Sequence, residues 1–221
     1  MIKSIIQCRM SSKRFPGKVL APFLGKPILS HIVDRIKEAN FSSSIVLATS
    51  DEKSDDPLEI YAKRLGIAVI RGSREDVVGR FASALKKHKC KAFFRICGDS
   101  PLLISPLFKH AISIYKKGNY DLVSNVFPRT FPRGMSIELI NTKFFLENEK
   151  KIATNDDREH VTKYFYKNAK KFRIHNFKSK RLIKPNLRLA IDKVQDIKKI
   201  ESWYLNIGKN YKKLFPIKLS K

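Results

Sequence analysis

The feature that most constrains the fold is a regular alternation of apolar strands and amphipathic helices along the first 118 residues. Short apolar runs predict four strands, at 1–8, 45–49, 67–70 and 92–97. Apolar residues at three- and four-residue spacing predict helices at 25–40, 57–65 and 105–118, and another that begins after a Ser73 cap. Four strand–helix units in succession are typical of a doubly wound, mostly parallel sheet, and the predicted fold class is therefore α/β.

The pattern changes in the second half of the chain. Strands are predicted at 120–126, 135–140, 172–177 and 187–191, and helices at 141–150, from Asp156 and at 196–207. We expect a small lobe inserted at 127–185, within a single domain that spans 1–221. We also expect a turn at 42–44, a basic connection at 178–186 and a weakly ordered basic tail at 209–221.

Composition narrows the class of protein without identifying a function. No run approaches the roughly 20 apolar residues of a membrane span, and the N-terminus enters a strand without a secretory signal. We therefore expect a cytoplasmic protein without a membrane span. The three cysteines, Cys8, Cys90 and Cys97, form no Cys-x-x-Cys pair, which argues against a zinc site or a disulfide framework.

The charge is extreme, because 46 basic and 20 acidic residues give a formal net charge of +26. Such a surplus of positive charge is typical of proteins that bind nucleic acid or an anionic surface. However, the basic residues are spread along the whole chain, and neither a helix-turn-helix pattern nor an RNA-binding sheet motif is present. A non-catalytic basic module that binds nucleic acid is the alternative from a different class, and it ranks behind a small anionic ligand.

A polar segment at residues 9–18, called the basic loop from here on, follows the first strand. It contains two serines, one proline, one glycine and the four cations Arg9, Lys13, Arg14 and Lys18. Open α/β folds bind ligands at the carboxyl ends of their strands, and cations, hydroxyls and backbone N–H groups there suit a phosphate chain. With a single glycine, the loop is neither a Walker A nor a dinucleotide motif. A solvated loop without a ligand is the alternative.

Two aspartates after predicted strands are candidate metal ligands. Asp99 lies in the run Gly98-Asp99-Ser100-Pro101, where a glycine permits a sharp turn and leaves room for a ligand. Asp192 follows the predicted strand 187–191 and would face the same crevice if that strand joins the sheet in parallel. Mg²⁺ uses one or two protein carboxylates with phosphate oxygens and water, so the pair suits a metal-bound triphosphate. An Asx-turn or a helix cap is the alternative role for Asp99.

The basic loop resembles the signature of the cytidylyltransferases that activate acidic sugars, the acylneuraminate and deoxyoctulosonate type. It is most similar to the branch named for spore coat polysaccharide biosynthesis protein F. The residues shared with that signature are Gln7, Arg9, Met10, Ser12, Arg14, Pro16, Gly17 and Lys18. Ser11 departs from it, since the family usually has glycine there. The resemblance covers residues 2–205 and implies the nucleotide-diphospho-sugar transferase fold.

Further motifs extend the resemblance along the chain. Asp99 and Asp192 match the two aspartates that bind the metal in the family, although Thr-Pro-Glu after the second is replaced by Lys193-Val194-Gln195. The segments 131–138 and 158–162 match family segments at the acceptor pocket, and the second also matches a dimer contact. His160 in this segment is a candidate general base. A hydrogen-bonded network at a helix start, with Asp156 or Asp157 as the cap, is the alternative for Arg158 and His160.

The resemblance implies transfer of CMP from CTP to an acidic sugar for a surface polysaccharide or glycan, release of pyrophosphate, Mg²⁺ as cofactor, and a homodimer. It implies catalytic roles for Lys18, Arg9 and Asp99, and metal binding by Asp99 and Asp192. The nucleotide-binding residues that it implies are Gln7, Arg9, Ser12, Lys13, Arg14, Lys18, Arg71 and Arg95. The implied acceptor-binding residues are Asn125, Arg133, Glu138, Arg158 and His160. Arg71 and Arg95 could equally be surface arginines, and a phosphonate or sugar-phosphate acceptor is an open alternative.

Overall fold

A computed structural model describes residues 1–41, 44–181 and 187–217. Within these ranges the strands are β1 (Ile2–Gln7), β2 (Pro22–Phe23), β3 (Lys26–Pro27), β4 (Ile45–Ser50), β5 (Ala68–Gly72), β6 (Ala92–Cys97), β7 (Leu122–Ser124), β8 (Glu138–Asn141) and β9 (Ile174–Asn176). The α-helices are α1 (Ile28–Glu38), α2 (Asp56–Arg64), α3 (Val77–Lys87), α4 (Ser105–Lys117), α5 (Thr142–Asn148), α6 (Asn155–His160), α7 (Lys163–Lys167) and α8 (Val194–Ile207). Short 3-10 helices occur at Lys18–Leu20, Lys53–Asp55, Glu149–Lys151, Ala169–Lys171 and Gly208–Leu214. Parts of the predicted turn at 42–44 and of the basic connection at 178–186 lie outside the described residues.

The main sheet of the described chain has seven strands in the order β5-β4-β1-β6-β8-β7-β9. The pairs β5–β4, β4–β1, β1–β6 and β7–β9 are parallel, whereas β8 is antiparallel to both of its neighbours. The prediction of a doubly wound, mostly parallel sheet is therefore confirmed. Gln7 at the end of β1 lies opposite Cys97 at the end of β6, so the segments that leave these strands start side by side.

The sheet is covered on both faces because successive strand residues point to opposite sides. In β1, Ile6 packs in the core shared with α1 and α4, and Ile5 packs in the core shared with α3 and α5. In β6, Phe94 and Phe93 divide between the same two cores. This burial on both faces explains the continuous apolar runs from which the strands were predicted. No helix in the described ranges is long and apolar enough to cross a membrane.

The predicted strand at 187–191 is wrong in this structure. Leu189 donates its N–H to the Arg133 carbonyl at 2.7 Å, and Arg188 forms only an isolated bridge with Arg133. The side chains of Leu189 and Ile191 are fully buried in the core. The apolar alternation that suggested a strand therefore reflects burial of alternate side chains in the core. The segment itself pairs with no strand of the described sheet.

Two other local predictions need correction. Asp76, and not Ser73, caps α3, because its side chain accepts the N–H of Gly79 at 2.8 Å. The start of the predicted weakly ordered tail is the 3-10 helix Gly208–Leu214, which buries Tyr211 completely, and Phe215 after it is 2% exposed. Aromatic burial thus fixes the chain as far as it is described at this end, and 218–221 lie outside the described residues.

The contact between Gly134 and the 187–191 segment provides a test of this packing. Gly134 has φ +97°, and an added Cβ would lie 2.4 Å from the carbonyl carbon of Leu189. We expect Gly134→Ala to lower the free energy of unfolding by at least about 2 kcal/mol, measured by urea denaturation. Gly66→Ala is the matched control, because Gly66 has φ +70° with no atom within 4 Å of the new Cβ. Its expected loss is about 1 kcal/mol, and equal losses in the two variants would contradict the close packing.

Candidate active site

The basic loop is held in a tight bend by its own backbone. The N–H groups of Ser12 and Gly17 donate to the Met10 carbonyl at 2.9 and 2.8 Å. Gly17 has φ +72°, a left-handed conformation that glycine adopts without strain. The 3-10 helix Lys18–Leu20 starts directly afterwards, so Lys18 returns to a cavity that Gln7 also lines.

Asp55 anchors this loop, a role that no motif in the sequence indicated. Its side chain is fully buried and accepts the N–H of Met10 at 2.7 Å. It also accepts the hydroxyl of Thr49 at 2.7 Å and both the N–H and the hydroxyl of Ser50, at 2.9 and 2.5 Å. Burial alone would raise the pKa of Asp55, but these hydrogen bonds outweigh it and lower the pKa. Asp55 therefore stays charged and fixes the start of the loop to the end of β4.

A cavity of about 460 Å³ lies along the basic loop. It gathers six predicted nucleotide-binding residues and both predicted metal ligands, namely Gln7, Arg9, Ser12, Lys13, Arg14, Lys18, Asp99 and Asp192. The guanidinium of Arg9 donates to the Arg74 carbonyl at 3.2 Å and pairs with Glu159 at 3.2 Å. We call this space the loop cavity.

Asp99 and Asp192 come together around Lys18. The Nζ atom of Lys18 lies 3.9 Å from Oδ2 of Asp99 and 3.5 Å from Oδ1 of Asp192. It also donates to the Ile191 carbonyl at 3.1 Å. The Ile191 N–H in turn donates to the Asp99 carbonyl at 2.8 Å. A backbone hydrogen bond, rather than strand pairing, therefore brings the two carboxylates to one place.

Asp192 is surrounded by further cations. Arg14 Nη2 lies 2.9 Å from Oδ1 of Asp192, and Arg188 Nη2 lies 2.6 Å from Oδ2. Asp196 accepts the N–H groups of Asp192 and Lys193, both at 2.8 Å, and so closes the start of α8 despite the changed motif there. The sequence did not indicate a role for Arg188. Its contact with Asp192 depends on the irregular path of the 187–191 segment, which the sequence predicted as a strand.

Gly98 is required by close packing. An added Cβ at Gly98 would lie 2.3 Å from the Cβ of Cys8, and the Gly98 N–H donates to the Gln7 carbonyl at 3.0 Å. The glycine thus lets the chain after β6 pass directly against the chain after β1. Asp99 is placed beside the basic loop as a result, and Ser100 donates its hydroxyl to Asp99 at 2.8 Å.

A second cavity, of about 530 Å³, adjoins the first and shares Cys97, Asp99 and Asp192 with it. We call it the acceptor cavity after the predicted acceptor-binding residues that line it, Arg133, Glu138 and His160. Besides the shared residues, its polar lining residues are Arg95, Ser100, Arg129, Arg133, Ser136, Glu138, His160, Thr162, Lys163, Tyr166 and Lys167. Burial raises the pKa of the Cys97 thiol to about 11, so this thiol is protonated near neutral pH.

A buried ion pair forms one wall of the acceptor cavity. Arg95 donates to Glu138 at 2.5 Å and to the Gln7 side chain at 2.8 Å, and Tyr166 donates its hydroxyl to Glu138 at 2.6 Å. Burial would raise the pKa of Glu138, but the charge of Arg95 and these hydrogen bonds lower it. Glu138 is thus a carboxylate whose charge Arg95 already balances, and the pair connects the acceptor cavity to the loop cavity through Gln7.

The remaining cations of the acceptor cavity differ in their partners. Lys163 pairs with Asp156, and Lys167 pairs with Asp157 at 2.8 Å. Arg129 and Arg133 have no carboxylate within 4.0 Å in the described part of the chain, and Arg129 contacts only the Ser136 hydroxyl, at 3.0 Å. Partial removal from solvent and the nearby Arg133 charge lower the pKa of Arg129. These two guanidinium groups are therefore the cations of this cavity that a bound anion would neutralise.

The turn between α6 and α7 brings His160 and Thr162 to the acceptor cavity. Val161 has φ +46° and ψ −58°, and the Thr162 N–H donates to the His160 carbonyl. This is a γ-turn of the strained hand, and a β-branched residue rarely adopts it. The fully buried side chain of Val161 holds the turn in place, while the side chain of His160 is 57% exposed.

Three predicted site residues contact the protein instead of either cavity. Arg71 pairs with Asp56 and Glu59 of α2 at 2.6 and 2.8 Å. Arg158 makes a two-pronged pair with Asp76, with both contacts at 2.8 Å. Asn125 is fully buried and bonds the Met135 carbonyl and the Ile137 N–H, at 2.8 and 2.9 Å. Arg158 thereby joins a network at the start of α3, where Asp76 is the cap. The alternative for Arg158 placed Asp156 or Asp157 as the cap of its own helix, whereas that cap is Thr154, whose hydroxyl accepts the Asp157 N–H at 3.1 Å.

The residues present fit a magnesium ion bound together with a phosphate chain. Asp99 and Asp192 offer two carboxylates, which lie 3.9 and 3.5 Å from the Lys18 Nζ atom in the cavity lined by the basic loop. The described residues contain no group of three or more histidine, cysteine, aspartate or glutamate side chains placed to hold a metal by themselves. Two carboxylates completed by phosphate oxygens and water are the ligand set that Mg²⁺ commonly uses.

A cation-rich loop and two carboxylates at the carboxyl edge of a mostly parallel sheet are typical of α/β proteins that bind a phosphate-bearing ligand such as a nucleotide. The sequence pattern of the cytidylyltransferase family matches residues 4–221, so the chain belongs to that family and is a CTP-dependent nucleotidyltransferase. The family resemblance on which the sequence analysis relied is therefore confirmed.

Three similar proteins agree with this placement. Spore coat polysaccharide biosynthesis protein SpsF of Bacillus subtilis is 31% identical over 212 residues, which cover 92% of this chain and 86% of that protein. A 3-deoxy-manno-octulosonate cytidylyltransferase of Geobacter metallireducens is 30% identical over 112 residues, or 51% of this chain and 43% of that protein. The structure of a cytidylyltransferase from Leptospira borgpetersenii has a TM-score of 0.87 and 31% identity, and covers 93% of this chain and 87% of that one.

The anchoring role of Asp55 predicts a pH dependence of stability. Because the folded protein lowers the pKa of Asp55, its contribution is present above the unfolded value of about 3.9 and is lost as the pH falls through the folded value. We expect Asp55→Asn to be less stable than wild type by about 2 kcal/mol at pH 7, with a smaller difference toward pH 2. Urea denaturation between pH 2 and 7 measures both, and Asp34→Asn, on the surface of α1, is the control. A difference that does not shrink with falling pH would contradict the charged anchor.

Proposed function

We propose that the protein transfers CMP from CTP to an acidic sugar and releases pyrophosphate. The observation that carries this proposal is the pair of adjoining cavities that share Asp99 and Asp192. The loop cavity is rich in cations and suits a triphosphate. The acceptor cavity contains Arg129 and Arg133 without carboxylate partners among the described residues, and it suits an anionic acceptor. The reacting phosphorus would lie where the two cavities meet.

The basic loop would position the triphosphate and offset its charge. Arg9, Arg14 and Lys18 supply positive charge along the loop cavity, and Ser12 and Lys13 also line it. Lys18 lies within 4.0 Å of both carboxylates, so its ammonium would stabilise negative charge that develops on the phosphate oxygens during transfer. These preorganised charges and the fixed placement of both substrates would provide most of the catalysis.

In the proposed reaction, an acceptor hydroxyl oxygen bonds to the α-phosphorus while the bond to the bridging oxygen breaks and pyrophosphate leaves. His160 lines the acceptor cavity, with Nε2 3.7 Å from Oδ1 of Asp156, and could take the hydroxyl proton. A magnesium ion bound by Asp99 and Asp192 would supply electrostatic screening between the triphosphate and the anionic acceptor. No side chain needs to form a covalent intermediate.

The names of two relatives support a sugar as acceptor, and one of the two names an acidic sugar. The Bacillus protein is named for spore coat polysaccharide biosynthesis, and the Geobacter protein for 3-deoxy-manno-octulosonate. A sugar carboxylate has the planar geometry that a guanidinium binds with two hydrogen bonds. The homodimer and the part in surface polysaccharide synthesis stay predictions.

Loss of either metal-binding carboxylate should abolish activity without unfolding the protein. We expect Asp99→Asn and Asp192→Asn to lower the rate of pyrophosphate release from CTP, Mg²⁺ and 3-deoxy-manno-octulosonate by at least about a hundredfold. Both should keep the wild-type circular dichroism spectrum, and Asp51→Asn, in an exposed loop, should retain full activity. Full turnover in both site variants would contradict the assignment of these residues.

The unpaired arginines should act on the acceptor and not on the nucleotide. We expect Arg133→Leu to raise the acceptor KM about tenfold or more, because a charge-assisted hydrogen bond is lost, while the Kd for CTP changes less than about twofold. Arg64→Leu removes the same charge from the exposed end of α2 and is the control. The assay is repeated with a phosphonate and with a sugar phosphate as acceptors. Preference for either of these over the sugar acid would overturn the acceptor class.

A further inference from the structure

Arg80 is a buried arginine that the sequence analysis did not single out. It lies on α3, one helical turn after the Asp76 cap, and is only 3% exposed. Arginine is almost never buried to this extent unless it is paired, because removing its charge from water is costly. Its position therefore requires an explanation from its partners.

The protein satisfies only part of the Arg80 guanidinium. Nη1 donates to the carbonyls of Ser73 and Arg74 at 2.8 and 3.1 Å. Nε is buried and has no hydrogen-bond partner, and Nη2 donates to no acceptor within the described chain. No carboxylate of the described residues lies within 4.0 Å of Arg80. The side chain is therefore a buried positive charge with unused donors, and Asp55 and Asp76 compensate it only from beyond contact distance.

The Arg80 side chain, which carries these unused donors, lines a small cavity beside the basic loop. The cavity has a volume of about 170 Å³ and is lined by Gln7, Cys8, Arg9, Val77, Arg80, Glu159 and His160. Four of these residues, which include Arg9, also line the loop cavity. Arg80 therefore stands next to the space assigned to the nucleotide.

Arg80 and Arg9 form a pair of like charges. Nη1 of Arg9 and Nη1 of Arg80 donate to the same carbonyl oxygen, that of Arg74, at 3.2 and 3.1 Å. Glu159 balances Arg9, whereas Arg80 has no such partner among the described residues. Burial and the Arg9 charge lower the pKa of Arg80, and Cys8, Asp55 and Asp76 raise it to a smaller extent. A bound anion would therefore stabilise the charged guanidinium.

A purely structural role explains less of this arrangement. Support of the 73–74 turn requires only Nη1 and would be met by a neutral side chain that donates one hydrogen bond. It gives no reason for a buried charge whose Nε has no partner. Buried charge without a counterion destabilises a protein and is commonly retained where function needs it.

We propose that Arg80 is a second arginine of the nucleotide site, which donates together with Arg9 to an anionic oxygen of the triphosphate. The inference rests on the proposed binding of CTP and adds a residue that no motif of the basic loop contains. The ligand chemistry is that of a phosphate oxygen with a guanidinium.

The test measures binding of CTP and of inorganic tripolyphosphate, both with Mg²⁺, by isothermal titration calorimetry. The variants are Arg80→Met and Arg80→Gln, and the second retains a polar side chain while it removes the charge. We expect each variant to bind both ligands at least about tenfold more weakly than wild type. We also expect the thermal midpoint of Arg80→Gln to stay within about 4 °C of wild type.

Arg35→Met is the matched control, because Arg35 also has a buried Nε without a partner but lies on α1, paired with Glu38 at 3.0 Å. It should leave both affinities within about twofold of wild type. Wild-type affinity in the Arg80 variants would overturn the proposal, and so would weaker binding of CTP with unchanged binding of tripolyphosphate, which would indicate a contact with the base. If the wild-type protein itself binds no CTP, the proposed function fails instead.

Discussion

The backbone hydrogen bond from Ile191 to Asp99 is the constraint on which the site depends. It joins the turn after β6 to a segment almost a hundred residues later in the chain, and so sets the carboxylates of Asp99 and Asp192 around Lys18. Close packing makes the contact possible at two glycines, since Gly98 lies against Cys8 and Gly134 lies against Leu189. The chemistry of the site therefore rests on steric fit in the backbone as much as on charge.

Charge compensation divides the site into parts with different tasks. Carboxylates balance the cations that shape the walls, as Glu138 balances Arg95. Among the cations assigned to ligands, Arg129 and Arg133 lack a carboxylate in the described residues, and Lys18 and Arg14 share Asp192. Arg9 differs, because Glu159 balances it. A ligand with several negative charges binds such cations most strongly. The folded protein already holds the cations close together, so binding does not have to supply that free energy. A formal charge of +26 alone would not locate this site.

Local patterns predicted those parts of the structure that local physics determines. Strand β6 and the basic loop were foreseen because apolar runs, turn residues and charge spacing act over a few residues. The segment 187–191 was mistaken for a strand because burial against the core produces the same alternation as a sheet. The roles of Asp55, Arg80 and Arg188 depend on partners distant in sequence or on the placement of a whole segment, and no spacing rule reveals them.

The central claim is that the basic loop, Asp99 and Asp192 together form a metal-dependent CTP site. Thermal unfolding of the wild-type protein with CTP, UTP, ATP or GTP, each with and without Mg²⁺, tests it directly. A ligand that binds only the folded state raises the midpoint of unfolding by mass action. The account predicts a rise with CTP that requires Mg²⁺ and exceeds the rise with the other nucleotides. Equal rises with all four nucleotides, independent of the metal, would indicate a general polyanion site and contradict the account.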